Sequence, residues 1–230
     1  NNVLVHTNQN FDKNLKDIFF KELGIRKPDY DLDILEKTNI TFISKLLPKI
    51  ENIIIKEKPD GFFILGDTNS SLSSIVAKKY KIPVFHYEAG NRCFDERVPE
   101  EINRRLVDHI SDINLTYSDF AKQNLLNEGI KNERVIKVGS PLYEVINFYK
   151  LKIEKCKILN KLKLKKNNYI LISYHREENV DLINKLKKFI KLMNIVQKVY
   201  GKKIIISTHP RTKKRLDLLS INKNKNVNYL

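Results

Sequence analysis

Short apolar runs of strand length alternate along the whole chain with longer segments of helical period. This alternation restricts the fold more than any other feature, because it is the pattern of βα units built on a parallel sheet. The predicted strands are Val3–His6, Gly61–Leu65, Pro83–Tyr87, Ile113–Thr116, Val135–Val138, Tyr169–Ser173 and Lys203–Ser207. Asn69 or Ser70 is suited to cap a helix reaching about Tyr80, and Ser118 another that stops at Gly129. The segment Ile34 to Lys56 reads as helix, and Pro48 inside it predicts a kink or a split. Both ends read as cut: Val3-Leu4-Val5 has no element opening in front of it, and Asn226 to Leu230 look like the start of a further strand. Taken alone, the 230 residues are therefore expected to be poorly active and marginally stable.

The lysine-rich stretch from Lys150 to Lys166 carries neither glycine nor proline. It predicts a first α/β unit over 1–149 that lacks its opening strand, a connecting helix or linker over 150–168, and the start of a second α/β unit over 169–230. An ordinary solvated helix inside one domain is the competing reading. Hydrophobic residues at 41% and aromatics at 9% suffice for a packed core. The longest apolar runs fall far below the ~18 residues of a membrane helix, so no membrane association is expected. The net charge of +16 comes from lysines spread along the chain. Clustered lysine and arginine would suggest nucleic acid; this spread matches the Lys, Asn and Ile excess of A/T-rich codons, and no nucleic acid is expected. Cys93 and Cys156 share no metal-type spacing and read as free thiols in a reducing cytoplasm.

In open α/β sheets, ligands bind beyond the carboxyl ends of the strands. The residues that follow the predicted strands are Gly66-Asp67-Thr68, Glu88-Ala89-Gly90-Asn91-Arg92, Gly139-Ser140, His175-Arg176-Glu177-Glu178-Asn179 and Thr208-His209-Pro210-Arg211. Each has a plain structural explanation: Asp67 starts a turn, Glu88 pairs with Arg92, a histidine ends a strand. Their gathering on one edge points to a site. Glu88 directly follows a largely apolar strand, where partial desolvation raises a carboxyl pKa and suits proton transfer. Glu100-Glu101 after Pro99 also fits a helix opening, with Arg104 and Arg105 one turn on as ion-pair partners. There is no glycine-rich dinucleotide fingerprint, P-loop, zinc-protease helix, paired CxxC or serine elbow. Dehydrogenase, kinase and zinc enzyme lose ground accordingly, and neither metal nor cofactor is expected.

The stretches Leu65-Gly66-Asp67-Thr68, Phe85-His86-Tyr87-Glu88-Ala89-Gly90-Asn91-Arg92 and Val98-Pro99-Glu100-Glu101-Ile102-Asn103-Arg104-Arg105, with Gly139-Ser140 and His175-Arg176-Glu177-Glu178-Asn179, resemble the non-hydrolysing UDP-N-acetylglucosamine 2-epimerases in order and spacing. The resemblance implies two Rossmann-like domains facing a cleft, as in GT-B glycosyltransferases. It implies Asp67, Glu88, Glu100 and His175 as catalytic residues, and Gln9, Arg92, Arg104, Ser140, Arg176, Glu178 and His209 as substrate-binding ones. A UDP-sugar substrate and a homodimer of the full-length protein follow from it too. Asn8 departs from the pattern, standing where the family usually has glycine before Gln9. The implied reaction is elimination of UDP to a glycal and its re-addition, with the carbon 2 proton returned to the opposite face. The stretch Glu88 to Arg97 is similar to the capsule and O-antigen branch, which forms UDP-N-acetyl-L-fucosamine. A GT-B glycosyltransferase and a non-enzymatic binding protein remain the alternatives.

Overall fold

The computed structural model describes residues 2–9, 17–36, 38–174, 180, 182–208, 210–217, 219 and 224–230. They form two compact units, Asn1–Val145 and Ile146–Leu230.

In the first unit β1 (Val5–His6) pairs with β2 (Tyr30–Asp31), and a four-stranded sheet runs in the order β3 (Phe62–Leu65), β4 (Val84–Ala89), β5 (Ile113–Thr116), β6 (Val135–Lys137). Every pairing is parallel. Parallel neighbours need crossover connections. These are a 3-10 turn at Asn69–Ser73 with α3 (Ser74–Lys79), then α4 (Pro99–Ile110), then α5 (Asp119–Asn127). The helix expected from Asn69 or Ser70 thus exists, but its first turn is wound more tightly. The first strand is shorter than expected, and β2, two residues long, is too brief to show a period in the sequence. A further helix, α1, spans Asp17–Glu22.

Helix α2 (Asn39–Glu57) runs through Pro48 without the expected split. Its cap is Thr38, whose hydroxyl accepts from the Thr41 amide at 3.1 Å. Proline inside a helix costs about 3 kcal/mol. Phe42, Leu46, Ile50 and Ile54 are buried on one face, on both sides of the proline. Each such burial contributes roughly 1.5–3 kcal/mol, so the shared core outweighs the lost hydrogen bond. That core also holds Val76, Ala77 and Val84.

Helix α5 begins and ends as expected. The Ser118 hydroxyl accepts from the Ala121 amide at 3.1 Å, and Gly129 has a left-handed φ of 85°. Ser118→Ala is expected to lower stability by about 1 kcal/mol in urea unfolding; an unchanged midpoint would show that the hydroxyl does not cap.

In the second unit β7 (Tyr169–Ser173), β8 (Lys203–Ser207) and β9 (Val227–Tyr229) form a parallel sheet in that order. Met193 packs on Ile204, Ile206 and Val227. The lysine-rich span and its approach are broken into short helices, Leu142–Phe148, Lys150–Glu154 and Ile158–Lys161, and none of them buries a residue. Their apolar side chains, Phe148, Leu151 and Ile153 among them, are exposed. Among the described residues, no helix is long and apolar enough to cross a membrane.

Candidate active site

Strand β4 carries the central feature. Its register with β5 shifts between Tyr87 and Ala89, and at that bulge Glu88 takes a left-handed φ of 76°. This backbone costs a non-glycine residue on the order of 1–2 kcal/mol, and such strain persists only where the surroundings enforce it. The half-buried Glu88 carboxylate accepts from Asn91 Nδ2 at 3.3 Å. Gly66, at the end of β3, leaves open space beside it: an added Cβ would come no nearer than 3.8 Å to Glu88 Oε2. Burial raises the Glu88 pKa, and the negative charge of Asp67 adds to the rise; Arg104 and the Asn91 hydrogen bond work against it. Burial and the same Glu88 charge push Tyr117 up to about 12.

Asp67 is fixed by Arg104, whose Nε and Nη2 lie 2.9 and 2.6 Å from Asp67 Oδ2. Arg104 also donates from Nη1 to Glu101 at 3.0 Å. Glu101 is fully buried, and its carboxylate accepts from the amides of Cys93 at 3.0 Å and Phe94 at 3.3 Å. Burial disfavours its charge, but these amides, the Cys93 thiol and Arg104 outweigh it and hold its pKa below the usual range. The ion pairs expected at the start of α4 therefore belong to Glu101, which meets Arg104 and Arg105. Glu100 is half-buried in the same turn and has no hydrogen bond or ion pair among the described residues.

Arg92 corrects an expectation. Its side chain is fully buried, paired with Asp108 at 2.7 Å and Glu128 at 2.5 Å. It donates to Glu128, Asp108 and the Asn91 carbonyl, and it does not pair with Glu88. Asp108 also meets His86 Nδ1 at 2.7 Å, both side chains being fully buried. The second ring nitrogen, His86 Nε2, lies 3.0 Å from Gly66 O.

Gln9 accepts from the amide and hydroxyl of Ser70, each at 3.1 Å, which ties the loop after β1 to the 3-10 turn. Asn8 adopts a φ of 61°, the conformation a glycine would take there, so the departure from the family pattern leaves the turn in place; asparagine tolerates this region. Ser140 is exposed and accepts from the Leu142 amide at 3.3 Å. Near it, beyond the ends of β5 and β6, Tyr117, Phe120, Lys137 and Gly139 line an open hollow of about 570 Å³. His175, Arg176, Glu178 and His209 lie outside the described residues. Among the described residues, no group of three or more His, Cys, Asp or Glu side chains is placed to hold a metal.

Asp67 and Glu88 thus lie at the carboxyl ends of β3 and β4, and Arg104 of α4 is bound to Asp67. A family model described as UDP-N-acetylglucosamine 2-epimerase matches residues 1–230. The chain belongs to that family. The UDP-N-acetylglucosamine 2-epimerase of Methanocaldococcus jannaschii is 41% identical over 218 residues, covering 93% of this chain and 59% of the relative. The UDP-2,3-diacetamido-2,3-dideoxy-D-glucuronate 2-epimerase of Pseudomonas aeruginosa is 36% identical, covering 95% of this chain and 61% of the relative. Among solved structures, the UDP-N-acetylglucosamine 2-epimerase from Rickettsia bellii superposes with a TM-score of 0.89 at 46% identity, over 99% of this chain and 60% of that one. The M. jannaschii enzyme in complex with UDP-GlcNAc and UDP gives 0.89 at 38% identity, over 98% of this chain and 64% of that one. The chain spans about 60% of the length of such relatives. Its fold class, α/β with parallel sheets and GT-B-like, is theirs.

His86, Asp108 and Glu128 are absent from the site residues expected from sequence, and Glu101 enters there only as a helix-opening acid. Only the placing of His86 two residues before Glu88 on one strand face hints at its role.

Proposed function

We propose that the full-length protein is a UDP-N-acetylglucosamine 2-epimerase. It interconverts UDP-GlcNAc and UDP-ManNAc by elimination and re-addition of UDP, in the cytoplasm, for surface polysaccharide synthesis. The observation that carries this reading is Glu88: a half-buried carboxylate of raised pKa beside the Asp67–Arg104 pair, in a chain matched by the family throughout its length. Carbon 2 of the sugar has no adjacent carbonyl, so its proton is not acidic. Departure of UDP, taking the electron pair of the C1–O bond, leaves carbon 1 electron-poor. Carbon 2 then gives its proton to a carboxylate and the C1–C2 double bond of a glycal forms. Protonation of carbon 2 on the other face and return of the UDP oxygen to carbon 1 complete the exchange. Two carboxylates of different basicity suit the two proton transfers, and Glu88, Asp67 and Glu100 are the candidates. Arg104, held by Asp67 and Glu101, is the cation on this edge. His175 belongs to the same proposal as a catalytic residue, and Arg176, Glu178 and His209 as substrate contacts, with Gln9 and Ser140.

A base must be ionised to accept a proton, so activity falls as pH drops through its pKa. With the Glu88 pKa raised, the acid limb of kcat/KM is expected above the ~4.3 of an ordinary glutamate. A limb at or below that value would remove Glu88 as the base.

A second substrate reading is favoured by the P. aeruginosa relative, which is named for a sugar altered at carbons 3 and 6; formation of UDP-N-acetyl-L-fucosamine belongs to this group of alternatives. Incubation of the full-length protein with UDP-GlcNAc, followed by the anomeric proton signals, is expected to show UDP-ManNAc. A product linked to an added acceptor would point to a glycosyltransferase, and binding without conversion to a non-enzymatic protein. A homodimer of the full-length protein completes the proposal; Ile102 and Leu106, exposed on α4, are the surface to test for it.

A further inference from the structure

Glu88 sits in a backbone conformation that relaxes unless something fixes it, and its own side chain has one 3.3 Å contact from Asn91. The residues on either side of it are held much more firmly. His86 meets Asp108 Oδ1 through Nδ1 at 2.7 Å, and the Gly90 amide donates to both Asp108 oxygens at 3.3 and 3.2 Å. Gly66 O only accepts, so His86 Nε2 carries the proton of the 3.0 Å bond between them, and the end of β3 is tied to the same cluster. From the other side, Asn124 Nδ2 donates to Gly90 O at 3.0 Å. Asp108 is itself fully buried and anchored by Arg92 at 2.7 Å.

We propose that Asp108 is a positioning residue: by binding His86 and Gly90 at once it clamps the bulge between them and fixes where the Glu88 carboxylate meets the sugar. The inference rests on the epimerase reading. An ion pair needed only for stability would be satisfied by Arg92; the bonds to residues 86 and 90 have the added effect of leaving β4 no freedom to straighten at 88.

The contrast between Asp108→Asn and Glu128→Gln in the full-length protein tests it. Each removes one carboxylate from Arg92, but only Asp108 also touches β4. Asp108→Asn is expected to lower kcat by on the order of 10–10²-fold, the cost of a misplaced catalytic group, with KM for UDP-GlcNAc little changed. Glu128→Gln is expected to lose stability with kcat held. A crystal structure of Asp108→Asn is expected to show Glu88 out of the left-handed region. Equal kcat in the two variants, or an Asp108→Asn structure with the bulge intact, overturns the inference. If Asp108→Asn does not fold, His86→Phe takes its place: phenylalanine keeps a ring in that space and gives up the bond to Asp108, and the same fall in kcat and movement of Glu88 are expected. A wild-type protein that does not epimerise UDP-GlcNAc sinks the functional reading instead, and the crystal structure of Asp108→Asn still decides whether Asp108 holds the bulge.

Discussion

Glu88→Gln in the full-length protein is expected to lower turnover by on the order of 10²–10⁴-fold, with substrate affinity changed far less. Glutamine keeps the shape and the contact with Asn91 Nδ2, and it leaves the bulge to be held by its neighbours. What it removes is the group that titrates. The loss should therefore appear in kcat, because a proton transfer is felt in the transition state and hardly in binding. The acid limb of the pH profile should vanish with it. Near-normal turnover would leave Glu88 as a structural partner of Asn91.

Gly90→Ala is expected to destabilise the protein by about 3 kcal/mol or more, combining overpacking with a left-handed backbone. Gly90 has a φ of 78°, and a Cβ there would lie 2.2 Å from Ala121 O and 2.8 Å from Ala121 C. Those are backbone atoms of α5, so no side chain can rotate away; strand or helix must shift. Native stability is only about 5–15 kcal/mol, so the loss is a large part of the whole. Gly66→Ala is the comparison. Its φ is also 78°, yet its nearest contact is Glu88 Oε2 at 3.8 Å, so it should lose only the conformational part, about 1–2 kcal/mol. Urea unfolding of both variants measures this, and equal losses would show that the contact with Ala121 is relieved at little cost.

Apart from β2, the strands were legible as short apolar runs bounded by polar turns, and their carboxyl ends then pointed to Asp67, Glu88 and Ser140. Pro48 does not split its helix, because Leu46 and Ile50 on either side of it bury into one core. Helix α4 shows the deeper difficulty. Glu101, Arg104, Arg105 and Asp108 recur at helical spacing, and charged residues so spaced ordinarily face solvent. In the structure Glu101 and Asp108 are fully buried while Ile102 and Leu106 are exposed. Nothing within the helix reveals this inversion; it follows from partners supplied by other elements, the His86 ring, the Cys93 and Gly90 amides and the Asp67 carboxylate. Arg92 was misjudged for the same reason, since Glu128, its partner, is 36 residues away in sequence.

The most direct test is to run the full-length protein with UDP-GlcNAc in deuterium oxide and to follow carbon 2 by proton NMR and mass. Elimination and re-addition passes the carbon 2 hydrogen through a carboxylate that exchanges with solvent. The expected result is UDP-ManNAc carrying one deuterium at carbon 2, without added nicotinamide. An epimer that retains its original carbon 2 hydrogen would contradict the mechanism, and no epimer at all would contradict the proposed function.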